Sequence, residues 1–214
     1  MRVGILGTGM VGATLGAKLV ELGHEVKMGS RTLNNDKAVE WVKQNGSRAS
    51  NGTFAEAATF GEVLFNCTAG TASLAALAAA GASNMKGKVL VDVANALDFS
   101  KGMPPSLTVC NTDSLGEQIQ RALPNVKVVK ALNTMNCRVM VQPSLVPGDH
   151  NLFLCGNDPQ AKAQVTELLK SFGWRSIIDL GDITAARGTE MLLPLWLRLM
   201  GLFQSPNFNF KIAR

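Results

Sequence analysis

Short, mostly apolar runs recur along the first two thirds of the chain, at 2–6, 25–29, 63–68, 89–94 and 126–132. A run of that length without polar alternation reads as a strand buried on both faces, the pattern of a parallel sheet. Between the runs, apolar residues return at helical spacing. That spacing predicts helices over 10–22, 36–44, 71–80 and 114–123. Asn45-Gly46 closes the second helix and Gly81 the third. Ser114-Leu115-Gly116-Glu117 is a capping box for the fourth, which stops at Pro124. Strand and helix alternating in this way predict an α/β fold: a Rossmann-type doubly wound parallel sheet.

After Leu132 the rhythm changes. A Pro/Gly loop occupies 143–150 and a short strand 151–155. Asp158-Pro159 caps a helix closed by Gly173, and a last strand covers 177–180. The stretch 184–200 is apolar except for one narrow stripe of Arg187, Glu190 and Arg198, with Glu190 expected to pair with Arg187. Pro194 should kink this segment or begin a second helix. The expected division is a nucleotide-binding domain over 1–140 and a small C-terminal α/β domain over 141–214. No run is long enough to span a bilayer, and no leader is read before the first strand.

Composition narrows the chemistry. The 214 residues are 46% hydrophobic and 17% charged, which supports a sizeable core. There is no tyrosine, so a Tyr-Lys acid is excluded, and only His24 and His150 are present, which argues against a metal site. Cys67, Cys110, Cys137 and Cys155 lack C-x-x-C spacing and read as reduced thiols of a cytoplasmic protein. The net charge is +5, but its Lys and Arg are scattered, which suits a small anionic ligand better than nucleic acid.

Gly7-Thr8-Gly9-Met10-Val11-Gly12 follows the first strand and opens the first helix. In that setting Gly7 permits the tight turn, Gly9 lets a pyrophosphate approach the backbone, and Gly12 lets the helix pack on the sheet. Gly16 reads as further helix–sheet packing. The second strand ends in Gly29-Ser30-Arg31-Thr32, without the acid an NAD ribose would need. A hydroxyl and a guanidinium, with Lys37 as a further cation, suit the 2′-phosphate of NADP(H).

Ligands of such sheets bind at the carboxyl ends of the strands. Here those ends carry Cys67-Thr68-Ala69-Gly70, Ala94-Asn95-Ala96 and Leu132-Asn133-Thr134-Met135, with no acid, Lys or His. A neutral site suits hydride transfer, which needs ring placement and water exclusion more than proton exchange. Asn95 and Asn133 either bond a carboxamide or flavin-like edge, or form Asx turns. Cys67 and Cys137 either line the pocket or are simply buried. Asp92, the one acid inside a strand core, is expected to bond backbone amides. Trp41, Trp174 and Trp196 read as core or interface. The apolar 184–200 segment, with Phe203, Phe208 and Phe210 after it, leaves a patch that predicts a homodimer.

The glycine turn, Gly29-Ser30-Arg31, Lys130-Ala131-Leu132-Asn133-Thr134, Cys155-Gly156-Asn157 and the 187–200 segment with its internal Pro194 resemble, in order, landmarks of the deazaflavin-dependent NADP oxidoreductase family. The resemblance implies hydride exchange between NADP(H) and coenzyme F420. It also gives the late segment, with Met191, Leu197 and Met200, a share in the deazaflavin pocket and the subunit contact. It implies acceptor-side roles for Asn133 and Thr134, with Asn95, and a small-molecule redox acceptor as partner. The cytosolic reductase domains of six-transmembrane metalloreductases are similar, including an Asn-Thr pair at the fifth strand. Archaeal family members have His where this chain has Asn133, which keeps a donor and an acceptor but does not titrate. Two other readings remain: an imine or β-hydroxyacid reductase, for which the chain after the fifth strand is short, and a non-catalytic NADP-sensing module.

Overall fold

The computed structural model describes residues 1–213. The first half runs β1 (Arg2–Leu6), α1 (Met10–Glu21), β2 (Glu25–Ser30), α2 (Asp36–Asn45), β3 (Ala49–Thr53), α3 (Phe54–Phe60), β4 (Val63–Asn66), α4 (Gly70–Ala80), α5 (Ala82–Met85) and β5 (Val89–Asp92). A small hairpin, β6 (Leu97–Asp98) and β7 (Ser106–Leu107), leads to α6 (Leu115–Ala122) and β8 (Lys127–Ala131). Then come α7 (Cys137–Val141), β9 (Leu152–Gly156), α8 (Pro159–Ser171), β10 (Ile177–Asp179), α9 (Ala186–Met191) and α10 (Leu193–Phe203).

Eight strands form one sheet in the order β10-β9-β8-β5-β4-β1-β2-β3. All neighbours are parallel except β8 and β9. The antiparallel step has a simple cause. From β8 the chain stays at the same sheet edge through α7 and the Pro/Gly loop, so it re-enters in the opposite direction. Residues after 141 therefore extend the same sheet rather than starting another.

The strands bury both faces. One face packs Leu15 and Leu19 of α1, Trp41 of α2, Val139 of α7 and Val165 of α8. The other packs Ala57 of α3, Leu77 of α4, Ile119 of α6 and Ala186 of α9. Trp41, Trp174 and Trp196 are all buried. Gly16 answers to a helix rather than to the sheet: a Cβ there would lie 2.7 Å from the Trp41 ring of α2.

The strand–helix unit of β3 and α3 falls in a stretch without an apolar run. Ala49-Ser50-Asn51-Gly52-Thr53 is an edge strand with three half-exposed residues, so little hydrophobicity marks it. Its one local signal is Thr53-x-x-Glu56. The Thr53 hydroxyl accepts from the Glu56 N–H and the Glu56 carboxylate accepts from the Thr53 N–H, a complete capping box. Of the two expectations for Pro194, a kink or a new helix, the structure shows the second: α9 and α10 are separate, with Pro194 in the first turn of α10.

Candidate functional site

The parallel strands β1, β2, β4, β5 and β8 end along one edge, and the residues of the glycine turn, the β2 turn and the β4, β5 and β8 ends follow them directly; Lys37 lies in α2, and Met191, Leu197 and Met200 lie in α9 and α10. At β1, Gly7 has φ +122°, a conformation glycine adopts freely. Gly9 precedes the first turn of α1, and no side chain caps it. A Cβ on Gly9 would meet nothing within 4 Å, so the space in front of the first-turn amides is open. A Cβ on Gly12 would lie 2.3 Å from the Gly7 carbonyl oxygen. Thr8 and Val11 are half-buried, and Met10 is exposed. The free amides and the positive helix end make an anion cradle.

At β2, Ser30 is buried and its hydroxyl is taken up locally. It donates to the Thr32 carbonyl and accepts from the Thr32 N–H. Ser30 thus shapes the turn, and Arg31, Thr32 and Lys37 are left exposed around it. No carboxylate stands in the Gly29–Thr32 turn.

Beneath the ends of β4, β5 and β8 lies a buried polar chain. The Lys130 ammonium is 2.8 Å from Asp92 Oδ2 and 2.8 Å from Glu190 Oε1, and it donates to the Ala94 carbonyl at 2.5 Å. Glu190 also accepts from the N–H groups of Leu115 (2.8 Å) and Gly116 (3.0 Å), capping α6 from α9. Asp92 accepts from the Asn66 amide at 2.8 Å, and Asn66 donates in turn to Ser73 at 3.1 Å. Thr68 donates to Asn66 Oδ1 at 2.7 Å. Burial opposes the Lys130 charge, but the Asp92 and Glu190 carboxylates outweigh it and hold its pKa above the ordinary value.

These contacts correct three expectations. Asp92 reaches one backbone amide, that of Ala94 at 3.3 Å, but its main partners are Lys130 and Asn66. Glu190 is buried and does not pair with Arg187. Arg187 instead grips Glu117 with two bonds, Nε to Oε2 at 2.8 Å and Nη2 to Oε1 at 2.5 Å. Glu117 also accepts from the Ser114 hydroxyl, so its carboxylate is not folded back on the Ser114 N–H as a capping box requires.

Above this layer the two asparagines meet. Asn95 Nδ2 donates to the Asn133 carbonyl at 2.8 Å, and Asn133 Nδ2 donates to Asn95 Oδ1 at 3.0 Å. Leu132 has φ +65°, a strained conformation for a non-glycine residue. It turns the chain out of β8 and brings Asn133 across to Asn95. Asn133, Thr134 and Met135 are buried, whereas Asn95 and Thr68 are half-buried and Ala69 is exposed. The buried Asn133 Oδ1 has no hydrogen-bond partner. Burial, then the Asp92 charge, pushes the Cys67 thiol well above its usual range, and burial raises Cys155 to about 12. Both stay protonated near neutrality. Cys137 is also buried, with the Thr14 hydroxyl donating to its sulfur at 3.7 Å.

A glycine turn opening a helix, a second strand without a terminal acid, and neutral strand ends define an oxidoreductase of the dinucleotide-binding type. The family model for coenzyme F420-dependent NADP oxidoreductases matches residues 2–96. The crystal structure of a candidate F420-dependent NADP reductase from Arthrobacter sp. FB24 is 54% identical, covers 100% of both chains and superposes with a TM-score of 0.95. This chain belongs to the coenzyme F420-dependent NADP oxidoreductase family. The F420-dependent NADP reductase of Methanocaldococcus jannaschii is 28% identical over 60% of this chain and 58% of its own length. The rat metalloreductase STEAP3 is 30% identical over 94% of this chain, which spans 40% of that protein. Among the described residues no helix is long and apolar enough to cross a membrane.

Lys130→Met would leave Asp92 and Glu190 buried without their cation. The expected loss is about 3–5 kcal/mol of folding stability, the usual result of breaking a buried pair. The triple variant D92N/K130M/E190Q should recover much of it, because no buried charge is left over. Urea denaturation of the two variants checks this. Equal stability of the single variant and the unsubstituted chain would show that the ammonium is not held there.

Proposed function

We propose that this chain binds NADPH at the β1–β5 edge and delivers its hydride to a ring acceptor of deazaflavin or flavin type held over the β8 end. The observation that carries the reading is the pairing of an open anion cradle at Gly9 with a β2 turn that presents Arg31 where NAD enzymes present an acid. When bound, the nucleotide supplies the hydride, and its nicotinamide ring passes from neutral to cationic.

The chain's own residues divide the remaining work. Gly7 makes the turn, its N–H donated to the Gly29 carbonyl, and the backbone amides that follow it, from Thr8 and Gly9 to Met10, Val11 and Gly12, hold the pyrophosphate. Arg31, with Thr32 and Lys37, holds the 2′-phosphate, while Ser30 shapes their turn. Thr68, Ala69, Ala94 and Asn95 receive the nicotinamide end, and the unpartnered Asn133 Oδ1 is an acceptor ready for a carboxamide N–H. Asn133, Thr134 and Met135 form the acceptor side. Hydride transfer needs the two rings face to face and dry. The strand ends meet that need with apolar and amide groups, and no proton has to be exchanged there. The reading includes a reducing, cytoplasmic setting, in keeping with four free cysteines.

Arg31→Ala should weaken NADPH binding roughly 10- to 100-fold, the worth of hydrogen bonds to a charged group, and leave NADH binding almost unchanged. Calorimetry with both nucleotides decides the point. Equal affinity of the unsubstituted chain for the two would sink the assignment.

The acceptor is tested by following NADPH oxidation with purified F420, FMN, FAD and ferric chelates. F420 should turn over, and kcat should stay nearly flat between about pH 6 and 8, because no strand-end side chain titrates there. Turnover with FMN or ferric chelate alone would place the chain beside the metalloreductases. Binding without any turnover would favour a sensor.

The proposal extends to a homodimer. Leu195, Leu202 and Phe203 of α10 are exposed, an apolar face without cover. A groove of about 1460 Å³ crosses α1 between Trp41 and His150. An 11-residue helix such as α10, roughly 16 Å long, matches it in scale. Light scattering at micromolar concentration should give twice the chain mass, and Leu202→Glu should lower it. A monomeric unsubstituted chain would refute the contact.

A further inference from the structure

The Lys130–Asp92–Glu190 cluster carries a charge that the hydride reading leaves unused. The side chains of Lys130 and Asp92 have no exposed surface, and that of Glu190 is 2% exposed. Formally, two carboxylates and one ammonium sum to one negative charge. The Leu115 and Gly116 amides, at the positive end of α6, soften the share of Glu190 without cancelling it. The other partners of Asp92 are neutral: the Asn66 amide and the Ala94 N–H. The cluster meets the site at Ala94, next to Asn95, where Lys130 Nζ donates to the carbonyl and the N–H donates to Asp92.

We infer that this cluster is a fixed electrostatic bias on the bound nucleotide, a buried negative charge under the Ala94–Asn95 turn that favours the oxidised, cationic nicotinamide over the reduced, neutral one. The inference rests on the reading that Ala94 and Asn95 receive the nicotinamide end. Loss of a hydride, one proton with two electrons, to the acceptor ring leaves one positive charge on the ring behind. A negative charge nearby lowers the free energy of that state alone. The burial matters because water would screen an exposed carboxylate. A unit charge about 12 Å away, acting at an effective dielectric of about 20, changes such a ratio by about tenfold. For a two-electron couple tenfold is about 30 mV. The bound nucleotide is thereby a stronger hydride donor than the free one. Asp92 and Glu190 are positioning and tuning residues, since neither touches the reacting atoms.

The test is the ratio of two affinities, measured by calorimetry on the full chain with NADP⁺ and with NADPH. The unsubstituted chain should bind NADP⁺ at least as tightly as NADPH. Glu190→Gln removes one negative charge and should shift the ratio towards NADPH by about three- to tenfold. Asp92→Asn should shift it in the same direction, and it carries the test if the Glu190 variant does not fold. A cluster that only packs the fold would change both affinities in parallel. A ratio within twofold of the unsubstituted value in the folded variants overturns the inference, and so does clear preference of the unsubstituted chain for NADPH. Failure of the unsubstituted chain to bind either nucleotide would overturn the nucleotide site itself, a result distinct from an unmoved ratio.

Discussion

An ammonium with no path to water fixes the middle of this protein. Lys130 projects from β8 into the layer that holds α6 and α9, where burial alone would neutralise it. It remains charged because Asp92 approaches from β5 and Glu190 from α9, each at 2.8 Å. Such clusters are poor sources of net stability, since desolvation offsets most of the attraction. What this one contributes is placement. The three charges are satisfied only when β5, β8, α6 and α9 stand in one arrangement, because Glu190 must reach the ammonium and the α6 amides together.

That arrangement sets the site above it. The carbonyl of Ala94 is held from below by Lys130, and Asn95, the next residue, is held from the side by Asn133. The strained backbone at Leu132 is tolerated because the reciprocal amide pair fixes the residue that follows it. Gly70 closes the packing from α4, where a Cβ would lie 2.1 Å from the Asn95 carbonyl oxygen. The turn after β5 is therefore over-determined on three sides, which suits a site whose chemistry depends on placement.

The sequence was most readable where physics is local. The β1–β2 strands, the glycine turn and the Pro159 helix start each carry their cause within a few residues, and all lie where the pattern puts them. Edge strand β3 escaped because a half-exposed strand needs no apolar run, and its capping box at Thr53 was the one clue. The antiparallel entry of β9 could not be read from spacing, since a loop at one edge and a crossover look alike in length. Glu190 was misassigned for a related reason. Its helix neighbour Arg187 is three residues away, whereas Lys130 is sixty away in the chain and adjacent in space. A lysine and an aspartate in otherwise apolar strand runs, Lys130 and Asp92, were the signal for a buried pair when taken together.

Charge in this protein is kept one layer away from the turns that follow β4, β5 and β8, and that separation has a chemical consequence. A titrating group beside two facing rings would offer a proton to the acceptor and draw water towards the reacting carbons. Removing every charge from the region would leave the oxidised ring without compensation in a poorly polar pocket. Burying Lys130, Asp92 and Glu190 beneath the Ala94–Asn95 turn, with amides and apolar groups above, avoids both outcomes. The cluster exerts a field but exposes no proton, and the surface that faces the rings stays neutral. On the hydride reading, the same residues that lock the central strands in place also set the electrostatic ground on which the two rings exchange charge.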